Sequence, residues 1–135
     1  MARGKEKTIC LLGSVAVDLT AAGGTEVSLY TVPTGMIAIP VFVMLHSFDE
    51  AVDEAVVTSG RTGGDCDEFT GDRDLTNVGA GFADEALKLE PIPNATPLAG
   101  LILDAAESFG IEITTPETTG AAACVADVWG YERPV

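Results

Sequence analysis

The chain has 135 residues, of which 47% are hydrophobic and 21% charged. This ordinary globular balance excludes collagenous and wholly disordered classes and predicts one domain that buries roughly two thirds of its unfolded surface. Its 21 acidic and 7 basic side chains give a net charge of −14, split between +2 over residues 1–7 and −16 over residues 8–135, and a body that negative repels a phosphate backbone, so no nucleic-acid partner is expected.

Residues 1–7 read as a short basic arm, with Arg3, Lys5 and Lys7 against Glu6, and residues 8–135 as a single domain. The first 22 residues imitate a secretory signal, with an apolar stretch over residues 9–17 and small residues at Ala21 and Ala22. Gly13 and Ser14 interrupt that stretch and Asp18 ends it, so it is not read as a signal. Residues 26–32 alternate polar and apolar, with Val27 and Leu29 on one face, and stop at Pro33, Thr34 and Gly35, which is turn chemistry. Residues 36–47 form a β-branched and apolar run, expected to be a long strand buried on both sides or packed at an interface. Pro40 has no N–H to donate, which places it at an edge, a bulge or a strand start. The apolar part, residues 36–45, is far short of the ~20 residues a membrane helix needs, so no membrane partner is expected.

The densest polar region follows, over residues 48–74, with nine carboxylates set against Arg61 and Arg73. Residues 87–90 and 109–114 alternate as strands before prolines, and residues 98–106 are read as a strand in preference to a short helix because Leu101, Ile102 and Leu103 run together after Gly100. The last alternating segment, residues 121–131, puts Cys124, Ala126 and Val128 on one face and Asp127, Trp129 and Tyr131 on the other. Turn clusters fall at residues 21–25, 59–65, 77–81, 94–96 and 116–120. Short strands punctuated by turns, with no sustained 3.6-residue period, predict an all-β fold: an antiparallel β-sandwich, jelly-roll-like, carrying a short N-terminal arm.

Chemistry is thinly marked. Cys10, Cys66 and Cys124 are odd in number and widely spaced, so they form neither a disulfide framework nor a zinc site; Cys10 and Cys124 read as small core residues of a reducing compartment. Asp65, Asp67 and Glu68 sit on a loop opened by Gly63 and Gly64, the setting in which hard cations such as calcium are collected, although the spacing is not that of an EF-hand. No other cofactor is indicated. His46, the sole histidine, closes an apolar strand and reads as a hydrogen-bonded structural residue. There is no GxSxG elbow, no HExxH and no phosphate loop, and no catalytic residue is assigned. A small hydrolase built on the acidic cluster would need carboxylates that converge in a pocket. Trp129 and Tyr131 share a strand face, with Tyr30 expected nearby; they suit either a sugar platform or a subunit interface.

Several segments together resemble small β-sandwich virion proteins of tailed bacteriophages. They are Tyr30, Thr31, Val32, Pro33 and Gly35 at a strand end; the apolar strand over residues 37–45; Asp67, Glu68 and Phe69; Asp74, Leu75 and Thr76; residues 107–111; and Val125, Asp127, Val128, Trp129, Gly130 and Tyr131. In that group a TVPxG turn and a VDVFGY-like terminal strand recur, and Trp129 stands where Phe is more usual. The resemblance implies a non-enzymatic virion protein assembled in the host cytoplasm that decorates or stabilises a capsid. It also implies a homo-oligomer, a trimer by preference, whose partner is the major capsid protein or another virion protein. On this reading the interface candidates are Arg3, Lys5, Lys7, Pro40, Phe42, Trp129 and Tyr131. The alternative is a glycan- or calcium-binding module for host attachment.

Overall fold

Eight strands carry the chain in the computed structural model, which describes residues 8–64, 66–79, 86–91 and 101–135. They are β1 (Cys10–Asp18), β2 (Thr25–Thr31), β3 (Met36–His46), β4 (Val56–Arg61), β5 (Thr70–Asp74), β6 (Leu87–Leu89), β7 (Ser108–Thr115) and β8 (Ala123–Pro134). Two four-stranded sheets form, in the orders β1-β8-β3-β6 and β2-β7-β4-β5. The antiparallel pairs β1–β8, β2–β7, β3–β6 and β4–β5 make one long folded ribbon. The further pairs β3–β8 and β4–β7 roll that ribbon into a sandwich, which is the winding of a jelly roll.

The alternation that predicts the strands also fills the core. Along β8 the inward Cys124, Ala126, Val128, Gly130 and Glu132 are buried while their neighbours are half-exposed or exposed. Across the sandwich they meet inward residues of the second sheet, among them Phe109, Ile111 and Ile113, and Phe109 packs edge-on against Phe69 with ring centroids 5.2 Å apart. One side is closed where β1 runs against β2, so closely that a methyl on Gly13 would lie 2.1 Å from the Leu29 carbonyl oxygen. On the other side β5 and β6 leave a groove of about 430 Å³, bridged by the Thr70 hydroxyl donating to the Glu90 carbonyl at 2.9 Å.

The apolar stretch at the N-terminus, for which no element is predicted, is the edge strand β1. Several expectations need correction. Ser59, Gly60 and Arg61, expected in a turn, belong to β4: Ser59 faces the core opposite Ile111, while Thr58, on the outer side, is covered by the loop after Arg61, its hydroxyl donating to the Cys66 carbonyl at 2.7 Å. Thr70–Asp74, within the polar region, is the edge strand β5. Of residues 98–106, the described part holds a single bridge, Leu103 to Ala38, and no continuous strand. β3 is buried on its inner face alone. The turn expected at residues 94–96 and the arm over residues 1–7 lie outside the described residues.

At the end of the sandwich where β3 leads to β4 and β7 to β8, one carboxylate organises the loops. Glu117, 3% exposed beneath a thin loop layer, accepts backbone N–H groups from Asp53, Glu54 and Ala55 at 2.9–3.1 Å and from Gly120 at 2.6 Å. Burial alone would push its pKa up. The N–H groups of Glu54, Gly120, Ala55 and Asp53 outweigh burial and hold it below the ordinary value of 4.5. A carboxyl whose folded pKa is depressed stabilises the fold fully above its unfolded pKa, and that contribution is lost as pH falls through the folded value. Glu117→Ala, which leaves these donors unpaired, is expected to cost about 2–4 kcal/mol in urea unfolding at neutral pH. Glu117→Gln is expected to lower the midpoint at pH 7 but to flatten its decline below about pH 4.5; an acid limb as steep as in the parent would show that another group carries it.

Gly130 supplies a second test. A methyl there would stand 2.3 Å from the Ile39 carbonyl oxygen and 2.9 Å from the Pro40 Cα, both backbone atoms. Gly130→Ala is therefore expected to destabilise by more than 2 kcal/mol, about the range for overpacked sites, as read from the urea midpoint.

Candidate interaction face of the outer sheet

The outward side of the β1-β8-β3-β6 sheet gathers several of the described half-exposed apolar side chains. Its centre is a row across the four strands: Leu11 of β1 lies opposite Trp129 of β8, which lies opposite Phe42 of β3. The Phe42 and Trp129 rings stack with centroids 6.2 Å apart and planes 18° apart, and the Lys88 ammonium of β6 sits 5.7 Å from the Phe42 centroid. Tyr131 opposite Ile39 extends the face toward the strand ends, where Arg133 lies opposite Ile37. Leu11 is 45% exposed, and Ile9 just before β1 is 39% exposed.

Two bulges build that row. The register of β1 slips between Leu11 and Gly13, and that of β3 slips between Pro40 and Phe42, on either side of the same stretch of β8. Each slip reverses the inward–outward parity of the residues before it relative to those after. Strict alternation from Val15 and Val17 would turn Leu11 inward, and strict alternation from Ala38 would do the same to Phe42. The bulges bring both outward beside Trp129. Pro40 itself is buried on the inner side of the first half of β3, so this interface candidate does not reach the face; its missing N–H is accommodated at the bulge.

The next row is polar and internally matched. The His46 Nε2–H donates to Asp127 Oδ2 at 2.8 Å, since a carboxylate only accepts, and the Ser14 hydroxyl donates to Asp127 Oδ1 at 2.5 Å. The other ring nitrogen of His46 meets the Ser47 hydroxyl at 2.8 Å. His46 is thus a hydrogen-bonded strand-end residue. Within the strands of this sheet the outward carboxylates are Asp127, matched by His46, and Asp18 at the far corner, while Glu90 just past β6 pairs with Lys88 at 2.7 Å.

The other candidates are dispersed. Glu68 is engaged by Arg61, whose backbone N–H and Nη1 donate to its two oxygens at 3.1 and 3.0 Å. The same guanidinium donates from Nη2 to the Ile102 carbonyl at 2.7 Å, and its Nε stands 2.9 Å from Glu107, close enough for ion pairing but out of line for a hydrogen bond. Asp67 lines a separate polar hollow of about 160 Å³ with Asp72 and Glu112 over the second sheet. Asp65, like Arg3, Lys5 and Lys7, lies outside the described residues. Among the described residues no three His, Cys, Asp or Glu side chains gather in a metal-binding group. Tyr30 does not join Trp129 and Tyr131: its hydroxyl donates to Glu132 on the inward face of β8, tying the two sheets together at that end. Burial, then the Glu132 hydrogen bond and charge, push the Tyr30 pKa up and keep the phenol protonated.

Two outcomes follow for these buried groups. Burial, followed by the charges of Glu26 and Glu112, pushes the Cys66 thiol up to about 12, and burial with the Asp49 charge does the same for Cys124, whereas Cys10 at the sandwich rim is only half-buried. A thiol-reactive dye on the folded chain is expected to label Cys10 first and the other two only on unfolding. Tyr30→Phe, which removes a donor from a buried carboxylate, is expected to cost about 1–3 kcal/mol in the urea midpoint.

No protein family and no curated protein sequence matches the chain. Its fold is similar to chains in three solved capsid structures. In the capsid of Ralstonia phage GP4 the likeness covers 95% of this chain and 84% of that one, with a TM-score of 0.59 and 17% identity. In the capsid asymmetric unit of cyanophage Pam1 it covers 91% and 84%, with a TM-score of 0.52 and 15% identity. In the acidic stable capsid structure of Helicobacter pylori bacteriophage KHP30 it covers 96% of both chains, with a TM-score of 0.54 and 11% identity. At these identities the likeness is one of fold: the whole β-sandwich of this chain has counterparts among chains of phage capsids.

Proposed function

We propose that the chain is a structural, non-enzymatic protein of a phage particle, located in the virion, that decorates or stabilises the capsid shell as a homo-oligomer. The carrying observation is the fold likeness to chains of three phage capsid structures, which spans at least 91% of this chain each time. It agrees with the turn and strand motifs that resemble small virion proteins. The geometry supports the same reading from another side. The described carboxylates are dispersed over strands and loops, many of them engaged by backbone N–H groups or by other side chains, while the outer sheet face offers a broad aromatic and aliphatic surface of the kind found in protein contacts. The partner is the major capsid protein, and the oligomer is a trimer set over the shell. The basic arm with Arg3, Lys5 and Lys7 docks on an acidic neighbour, where several weak contacts act together.

Incubating the purified chain with capsids that lack it tests the reading. The expected outcome is co-sedimentation with the shell and a raised capsid melting temperature, with occupancy declining as salt screens the arm. A chain that remains in the supernatant at every ionic strength overturns the proposal.

A further inference from the structure

The geometry points to the outward face of the β1-β8-β3-β6 sheet, centred on Leu11, Trp129, Phe42 and Ile39, as the surface through which copies of this chain meet one another. This inference rests on the homo-oligomer reading above and assigns it a place on the molecule.

Two bodies of −16 repel each other, and net charge of that size keeps a protein dispersed unless some surface lacks the repelling groups. Most of the described carboxylates lie elsewhere. Asp49, Glu50, Asp53 and Glu54 occupy the loop between β3 and β4, and Glu26, Glu112, Asp67 and Asp72 belong to the second sheet and its covering loop. Among the described residues the carboxylates on the outer face of the first sheet are few: Asp127, which accepts from His46, Glu90, which is paired with Lys88, and Asp18 at the corner. Lys88 and Arg133 add positive charge there.

A basic partner would find its complement on the acid-rich loops and the second sheet. The acid-poor apolar face suits a partner that is itself strongly acidic, and a second copy meets that description. Its stacked Phe42 and Trp129 rings are already ordered in the single chain, so little side-chain freedom remains to be lost on contact.

The sign of the salt response separates this contact from the docking of a basic arm. Salt screens the repulsion between like-charged bodies and so strengthens association through an apolar face, whereas it weakens association between an arm and an acidic surface. Trp129 is the sole tryptophan of the chain, so its fluorescence reports on this face alone. The experiment is a dilution series of the full chain at low and high sodium chloride, with mass from light scattering and acrylamide quenching of the tryptophan read on the same samples. Raising salt from about 50 to about 500 mM, which shortens the Debye length from roughly 14 to roughly 4 Å, is expected to lower the apparent dissociation constant about tenfold. The quenching constant is expected to fall by about half as the mass rises. Leu11→Arg, at an exposed position of the central row, is expected to weaken association at least tenfold at unchanged melting temperature.

A mass that falls with salt, an oligomer whose tryptophan stays as quenchable as in the monomer, or a Leu11→Arg chain that associates like the parent each overturns the inference. A chain that is monomeric throughout yet co-sediments with capsids overturns it as well and leaves the virion role standing. An oligomer with the expected salt response that ignores capsids supports this face and removes the virion role.

Discussion

The ladder between β3 and β8 is the constraint on which the rest of the molecule depends. It runs from Met36 opposite Pro134 to His46 opposite Val125, and it joins the two halves of the rolled ribbon. Its inward residues, Ala38, Val43 and Leu45 with Ala126 and Val128, floor the core. Its outward residues form the aromatic and aliphatic outer face. The only proline within this ladder's interior, Pro40, falls at the one register slip, opposite a glycine that no larger residue replaces without striking the Ile39 carbonyl. That slip changes which side chains share a face, so one backbone irregularity both spares a missing N–H and sets Phe42 beside Trp129.

The second organising feature is the division of labour among the carboxylates. Glu117 holds three successive N–H groups of the loop before β4 and one beside β8, and so replaces a missing piece of sheet where two loops cross. Glu132 bridges the sheets through Tyr30, and Glu68 and Glu107 anchor Arg61. An acidic side chain in this protein is therefore as often a structural fastening as a solvated charge, which is why counting carboxylates along the sequence says little about a catalytic or metal centre.

Much of the architecture was legible before folding. β2, β3, β7 and β8 announce themselves through alternation and flanking turn residues, and with the turns they imply an antiparallel sandwich. β1 is harder to see because its alternation is broken by the bulge between Leu11 and Gly13. β4 is hidden for a different reason: Thr58, Ser59 and Gly60 are small or polar, yet Ser59 sits in the core opposite Ile111 and Thr58 is covered by the loop after Arg61, tertiary events that local pattern does not carry. The face was half legible. Trp129, Tyr131 and Phe42 stand out as aromatics on strands, but the place of Leu11 beside them depends on a register slip that no spacing in the sequence reveals.

The arrangement of the first sheet also bears on how the molecule carries load. β1 begins and β8 ends at the same pole of the sandwich, as neighbouring antiparallel strands, with Cys10 opposite Gly130. A pull applied to these two strand ends would peel the pair apart one rung at a time, the weakest way to strain a ladder. A force spread over the outer face is instead shared by four strands and passed straight into the core behind them. A molecule so built is mechanically suited to bearing on a neighbour broadside, with the strand ends left slack.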